Sequence, residues 1–326
     1  MSACTCLTFT GVALALAVVT PLIASAQAPD FPTKPVRFLV GAAAGGSGDV
    51  LARVLGDGLT PSWKQQVVVE NRPGAGGVIA MQAITTNADP HMLLISAGSY
   101  LTITPFTSAN LPLDIERDLQ PIAMIADVPI VISAAAPTAF KTIGDLIAHA
   151  TANPGKVNYA ANSPGTFPHL ATELFAQRAK INITYVPYKG AGAALPDALA
   201  GRLDLIAEGY SALAGAVKSG GLRPLAVSSE QRLPSLPDVP TLGESLPGFS
   251  VVGFFGVMGP AKMSPALVKR LNEDFNRVLA RPDVIQRLAE VGSYVRPMSV
   301  EAYTGFLKDE RARFGPLIKQ MGFAPR

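Results

Sequence analysis

Cysteine, histidine and charged residues are all scarce in this chain. Its 326 residues include two cysteines and three histidines, and 16% are charged. Both cysteines, Cys4 and Cys6, fall within the first six residues. Past them the chain has no thiol, which excludes a disulfide framework and thiol chemistry. His91, His149 and His169 stand far apart with no metal-ligand spacing, so neither a metal nor a cofactor is expected. Lys and Arg number 27 against 24 Asp and Glu, for a net charge of +3. They form no basic run, which argues against nucleic acid as a partner. No Gly-x-Ser-x-Gly elbow and no Gly-Lys-Ser/Thr loop occurs, and Gly46-Ser-Gly48-Asp-Val-Leu51 lacks the third glycine of a dinucleotide fingerprint. Serine hydrolases and nucleotide-dependent enzymes therefore have little support.

Apolar residues, by contrast, make up 48% of the chain, enough for a large core. Part of that content is an N-terminal run from Leu7 that ends in Ala24-Ser25-Ala26, with no charged residue before Asp30. An apolar run followed by small residues has the form of a secretory signal over 1–26, cut after Ala26 or, as second choice, after Ala28. No Lys or Arg precedes the run, and the competing reading is an uncleaved anchor. Pro21 and the small-residue tail favour cleavage.

From Phe31 onward, short apolar runs alternate with helical periodicity. Strands are expected over 36–40, 66–70, 91–96, 130–134, 157–160, 181–187, 203–207, 222–228 and 250–258. Helices are expected over 49–59, 78–87, 143–152, 169–178, 193–200 and 211–219, and again over 264–280, 282–291 and 300–321. This alternation predicts an α/β fold with mostly parallel sheets flanked by helices. The length favours two domains. The expected division is one lobe from 27–127 plus 251–326 and a second from 128–250, with hinges near 126–130 and 247–252.

Two loops stand out chemically. Gly41-Ala-Ala-Ala-Gly45-Gly46-Ser47-Gly48-Asp49 follows the first strand and opens a helix, with Arg53 one turn beyond Asp49. Glycine lets the main chain approach a ligand, and the free N–H groups of a helix start attract anions. The alternative is a tight turn capped by Asp49. Asn162-Ser163-Pro164-Gly165-Thr166-Phe167-Pro168-His169 follows a later strand and repeats the arrangement in the other lobe. One carboxylate gripped from both sides would satisfy both loops. The 71–77 loop reads as a connector. Asp204 and Glu208 share a strand face and are the one candidate carboxylate pair for catalysis, with a cap or edge role the simpler reading. Ser99, Tyr188 and Asp204 complete the candidate ligand-binding set of Gly45, Gly46, Ser47, Asp49, Asn162, Ser163, Gly165, Thr166, Phe167 and His169.

Several stretches together resemble the receptors of tripartite tricarboxylate transporters, the Bug family of periplasmic solute-binding proteins. They are Lys34-Pro35-Val36-Arg37, the Gly45–Asp49 loop, Val68-Val69-Glu70-Asn71-Arg72-Pro73-Gly74-Ala75-Gly76-Gly77, Pro154-Gly155-Lys156-Val157-Asn158-Tyr159, Val186-Pro187-Tyr188-Lys189-Gly190 and Leu236-Pro-Asp-Val-Pro-Thr241. The resemblance implies a two-lobed, type II-like periplasmic binding protein with a ligand cleft between the lobes. It also implies a non-catalytic role: a small carboxylate held mainly by backbone amides and delivered to membrane permease subunits, by a protein expected to be monomeric and periplasmic. Two departures from the family pattern are Ala42-Ala43-Ala44, where proline is usual, and Phe167-Pro168, which adds apolar bulk. The second hints at a less polar ligand, such as an aromatic carboxylate. A sensor partner or, less favoured, a hydrolase or isomerase are the alternatives.

Overall fold

The computed structural model describes Met1, 31–162 and 164–321. The expected signal beyond Met1, and Ser163, lie outside the described residues. Among the described residues there are ten strands: β1 (Val36–Val40), β2 (Val67–Asn71), β3 (Met92–Ala97), β4 (Leu119–Ala135), β5 (Asn158–Ala161), β6 (Thr184–Pro187), β7 (Leu205–Gly209), β8 (Leu222–Val227), β9 (Val252–Pro260) and β10 (Tyr294–Val295). Their main path runs β2-β1-β3-β9-β4-β7-β5-β6. The α/β class is as the sequence predicts, with helices between successive strands. Parallel pairing, however, is confined to the two wings, where β1 joins β2 and β3, and β5 joins β6 and β7. Between the wings β9, β4 and β7 are antiparallel neighbours, so the sheet is mixed. The reason is connectivity: crossover helices make the wings parallel, while β4 and β9 carry the chain from one wing to the other in opposite directions.

β4 is 17 residues long. It pairs with β9 as far as Pro129↔Val252, then changes partners to β7 and β8 from Ile130 onward. The sequence predicts only 130–134 of it; the prolines at 121 and 129, which cannot donate to a ladder, mask the rest of the strand. Pro121 sits where the β4–β9 register shifts, which is where a strand tolerates the loss of an N–H. At the change of partners, buried Ser228 ties the two crossing strands together. Its main-chain N–H donates to Ile130 O (2.8 Å), and its hydroxyl accepts from Ile130 N–H (2.9 Å) and donates to Val251 O. Val251 N–H in turn donates to Ser228 O at 3.0 Å.

Each wing has its own apolar filling. Phe38, Trp63 and Phe275 meet edge-on or stacked beneath β1. The Trp63 indole N–H donates to Asp274 at 2.9 Å, so the ring is buried without an unpaired polar atom. In the other wing Tyr159, Leu170, Phe175 and Leu205 are buried between β5, β7 and the Phe167–Ala179 helix. These cores hold the carboxyl ends of β1, β3, β5 and β7 toward a common cleft.

Candidate functional site

At the end of β1 the chain turns into the Ser47–Trp63 helix, with Gly46 as its N-cap. The amides of Ser47 and Gly48 come first in that helix and have no carbonyl one turn back to bond. Asp49 does not face the cleft. Its carboxylate is paired with Arg53 (2.9 Å) and accepts the Gly45 N–H at 3.1 Å. Burial alone would raise the Asp49 carboxyl, but the Arg53 guanidinium and the Gly45 amide outweigh it and hold the group below its ordinary range. Gly45, with φ at +80°, and Asp49 therefore shape the loop, and the Gly45 amide is already used. This corrects the expectation that both contact a ligand: a buried carboxylate recruits the nearest donors, here on its own turn.

Gly46, Ser47 and Gly48 do line the cleft. Ser47 is buried and its hydroxyl has no hydrogen-bond partner among the described residues. The 71–77 loop is the expected connector. Asn71 donates to Ala42 O at 3.1 Å, and a Cβ on Gly77 would come within 2.3 Å of the Tyr100 ring.

From the opposite side come Asn162, Thr166, Phe167 and Pro168, at the start of the Phe167–Ala179 helix. Phe167 packs its ring at a tilt against Phe254 and edge-on against Phe314, forming an apolar wall. Gly165 and His169 stand behind this loop. The Gly165 N–H donates to His169 Nδ1 at 3.3 Å, and a Cβ on Gly165 would meet Thr107 Oγ1 at 2.7 Å. They brace the turn and do not line the cleft. Ser99, nearly fully buried, does line it.

Two further expectations are corrected. Tyr188 donates its hydroxyl to Asp197, which also pairs with Arg202, and lies outside the cleft; its neighbours Gly190 and Ala191 line it instead. Asp204 is locked to Asn158: Asn158 N–H donates to Asp204 Oδ2 (2.8 Å), and Asp204 N–H donates to Asn158 Oδ1 (2.9 Å). It fixes β7 against β5 and has no role in the cleft, so Asp204 and Glu208 form no carboxylate pair.

Glu208, absent from the expected set, is the acidic residue of the lining. It is 6% exposed and accepts the Gly209 N–H at 3.1 Å. Burial pushes its carboxyl up to about 7, with the Gly209 amide a smaller opposing influence. Among the described lining residues there is no Lys, Arg or His. The remaining walls are apolar, from Ala43, Ala97, Val128, Ile130, Phe254 and Phe255. Glu208 carried one sequence signal, its even spacing from Asp204. Spacing alone could not say which of the two faced inward. Tyr100, Phe254 and Phe255 carried none, because any apolar aromatic next to a strand reads as core.

The two sides approach closely. A Cβ on Gly209 would lie 2.6 Å from Ser47 Oγ, and one on Gly192 would lie 2.7 Å from Ala44 O. The absence of side chains at Gly209 and Gly192 is what lets the walls meet.

Known proteins share this architecture. BugT of Bordetella pertussis is 35% identical over 304 residues, covering 92% of this chain and 93% of BugT. The R. palustris protein Rpa4515, solved with adipate, superposes with a TM-score of 0.88 at 30% identity over 91% of this chain and 100% of its own. MatC from Rhodopseudomonas palustris with bound malate gives a TM-score of 0.82 at 26% identity, covering 88% and 100% of the two chains. The model of the tripartite tricarboxylate transporter family receptors matches residues 51–323. With the fold, the cleft and these likenesses together, the chain belongs to that family of solute-binding receptors.

Proposed function

We propose that the protein captures a small carboxylate in the cleft, outside the cytoplasmic membrane, and delivers it to the permease subunits of a tripartite transporter. The observation that carries this reading is the convergence of two helix starts, Ser47–Trp63 and Phe167–Ala179, on one cleft with no cationic side chain among its described lining residues. A carboxylate there is held by main-chain N–H groups and the helix dipoles, worth about 0.3–1 kcal/mol for each terminus. The ligand-contacting residues are Gly46, Ser47, Ser99, Asn162, Thr166 and Phe167, with Ser163 expected beside them. Relatives solved with adipate and with malate support a carboxylate ligand.

The proposed lobes are 27–127 with 251–326, and 128–250, moving about the partner change of β4 at Pro129 and Ile130. Export to the periplasm through an N-terminal signal fits the family. The carboxylate pair on which an enzymatic reading would rest is not formed, since Asp204 is bound to Asn158.

A thermal-shift screen against mono-, di- and tricarboxylates tests the reading. A bound acid at about 100 times its Kd is expected to add about 2.7 kcal/mol to the stability. Unchanged melting with every acid in the panel would refute carboxylate capture.

A further inference from the structure

Among the described lining residues Glu208 is the one acidic side chain, and no protein cation accompanies it. It stands at the end of β7, directly before Gly209, which abuts Ser47 across the cleft. One carboxyl oxygen, Oε1, accepts the Gly209 N–H; Oε2 has no protein partner among the described residues. The titratable groups on the elements packed around β7 are turned elsewhere. His169 and Tyr159 are bound to Gly165 and Glu173, Asp197 to Tyr188 and Arg202, and Asp127 to Arg296. Tyr210 and Lys218, on the Tyr210–Lys218 helix, make no hydrogen bond or ion pair with Glu208 among the described residues. Tyr100 is the group electrostatically coupled to it, and Tyr100 donates its hydroxyl to Gly41 O at 3.0 Å.

A buried carboxyl with no counter-ion favours its uncharged form. An anionic ligand arriving beside it strengthens that preference, because two like charges in a dry cleft repel. An uncharged carboxyl has an O–H to donate, and Oε2 is where it is free to do so.

Building on the carboxylate-capture reading, we propose that Glu208 is a specificity-determining residue that donates a hydrogen bond from Oε2 to a second oxygen of the ligand, so that ligand binding takes up one proton from solvent. The first carboxylate rests on the main chain of the two helix starts, and the second acceptor is read by Glu208. The cleft thereby selects bifunctional acids over simple fatty acids of the same length. The carboxyl of Glu208, pushed up to about 7 by burial, is placed to release its proton as the medium turns alkaline. The preference for a second oxygen then fades.

The test is calorimetric titration of the intact chain and of Glu208→Gln with adipate, malate and hexanoate, between about pH 6.5 and 9, where these acids themselves stay ionised. For the wild-type chain the affinity for the dicarboxylates is expected to fall about tenfold per pH unit above the titration of Glu208, as one-proton linkage requires. The advantage of adipate over hexanoate should vanish at the alkaline end. Glu208→Gln keeps a donor that cannot ionise, so its affinity should be flat with pH and its preference for adipate retained. Titration in buffers of different ionisation enthalpy should show one proton absorbed by the wild type at alkaline pH and none by the variant. Parallel pH profiles in the two proteins, no proton uptake, or binding of hexanoate alone would overturn the assignment of Glu208 and leave carboxylate capture standing. Failure of all three acids to bind either protein would overturn capture as well.

Discussion

Gly46 has ordinary extended dihedrals, φ −77° and ψ 168°, and a Cβ placed on it meets nothing nearer than Ala43 O at 3.4 Å. A side chain there costs the fold little, yet it enters the cleft beside Ser47. Gly46→Val is therefore expected to melt within a few degrees of the wild type and to lose carboxylate binding; undiminished binding would show that the ligand sits elsewhere. Gly48 and Gly209 do not offer the same test, because their substitutions collide with Phe255 and with Ser47 and Val128. At this scale the sequence was partly legible. Glycine spacing marked the first loop, but residue type could not separate Asp49, which turns inward to Arg53, from Ser47, which faces the cleft with its hydroxyl unpaired. The same limit exchanged Asp204 for Glu208. Both are acidic and share a strand face, and the deciding fact is that Asn158, distant in sequence, occupies Asp204.

Among the elements, β4 has the largest consequence and was the least legible. Its prolines disguise a strand of 17 residues that belongs to both wings. A strand that changes partners midway needs something to hold the exchange in place, and Ser228 supplies it with a hydroxyl that accepts from Ile130 N–H and donates to Val251 O. Ser228→Ala would leave both of these buried main-chain groups unpaired. The expected loss is about 1–3 kcal/mol, read from urea unfolding; an unchanged midpoint would mean that the hydroxyl is dispensable. The helices were easier to read. The 78–87 and 143–152 segments match their observed bounds: the second is amphipathic and capped by Thr142, whereas the first, with little one-sided apolar pattern, is delimited by the Gly76-Gly77 turn before it. The short helices Gly98–Thr102, Thr104–Thr107 and Ile115–Asp118 are too brief to show a period.

For the molecule as a whole, the sequence announced α/β layering and two lobes. It did not announce antiparallel pairing at the centre, which depends on partners more than a hundred residues apart, such as Asp127 and Phe254. The close approach of Gly209 to Ser47 and of Gly192 to Ala44 is the geometry of a nearly shut cleft. If the proposed lobes move about β4 at Pro129 and Ile130, the cleft is shut for more of the time when loaded, so small-angle scattering is expected to give a smaller radius of gyration with a saturating carboxylate than without it. Identical scattering curves, with binding verified, would argue for a rigid cleft. The proposed grip at the helix starts has one more consequence, for how it can be found. Main-chain N–H groups survive every replacement except proline, so an alanine scan would register Phe167 and Glu208 and pass silently over the hold on the carboxylate itself. The substitution that reaches it is proline at Ser47, the first helical position, where the helix accepts proline and the N–H disappears.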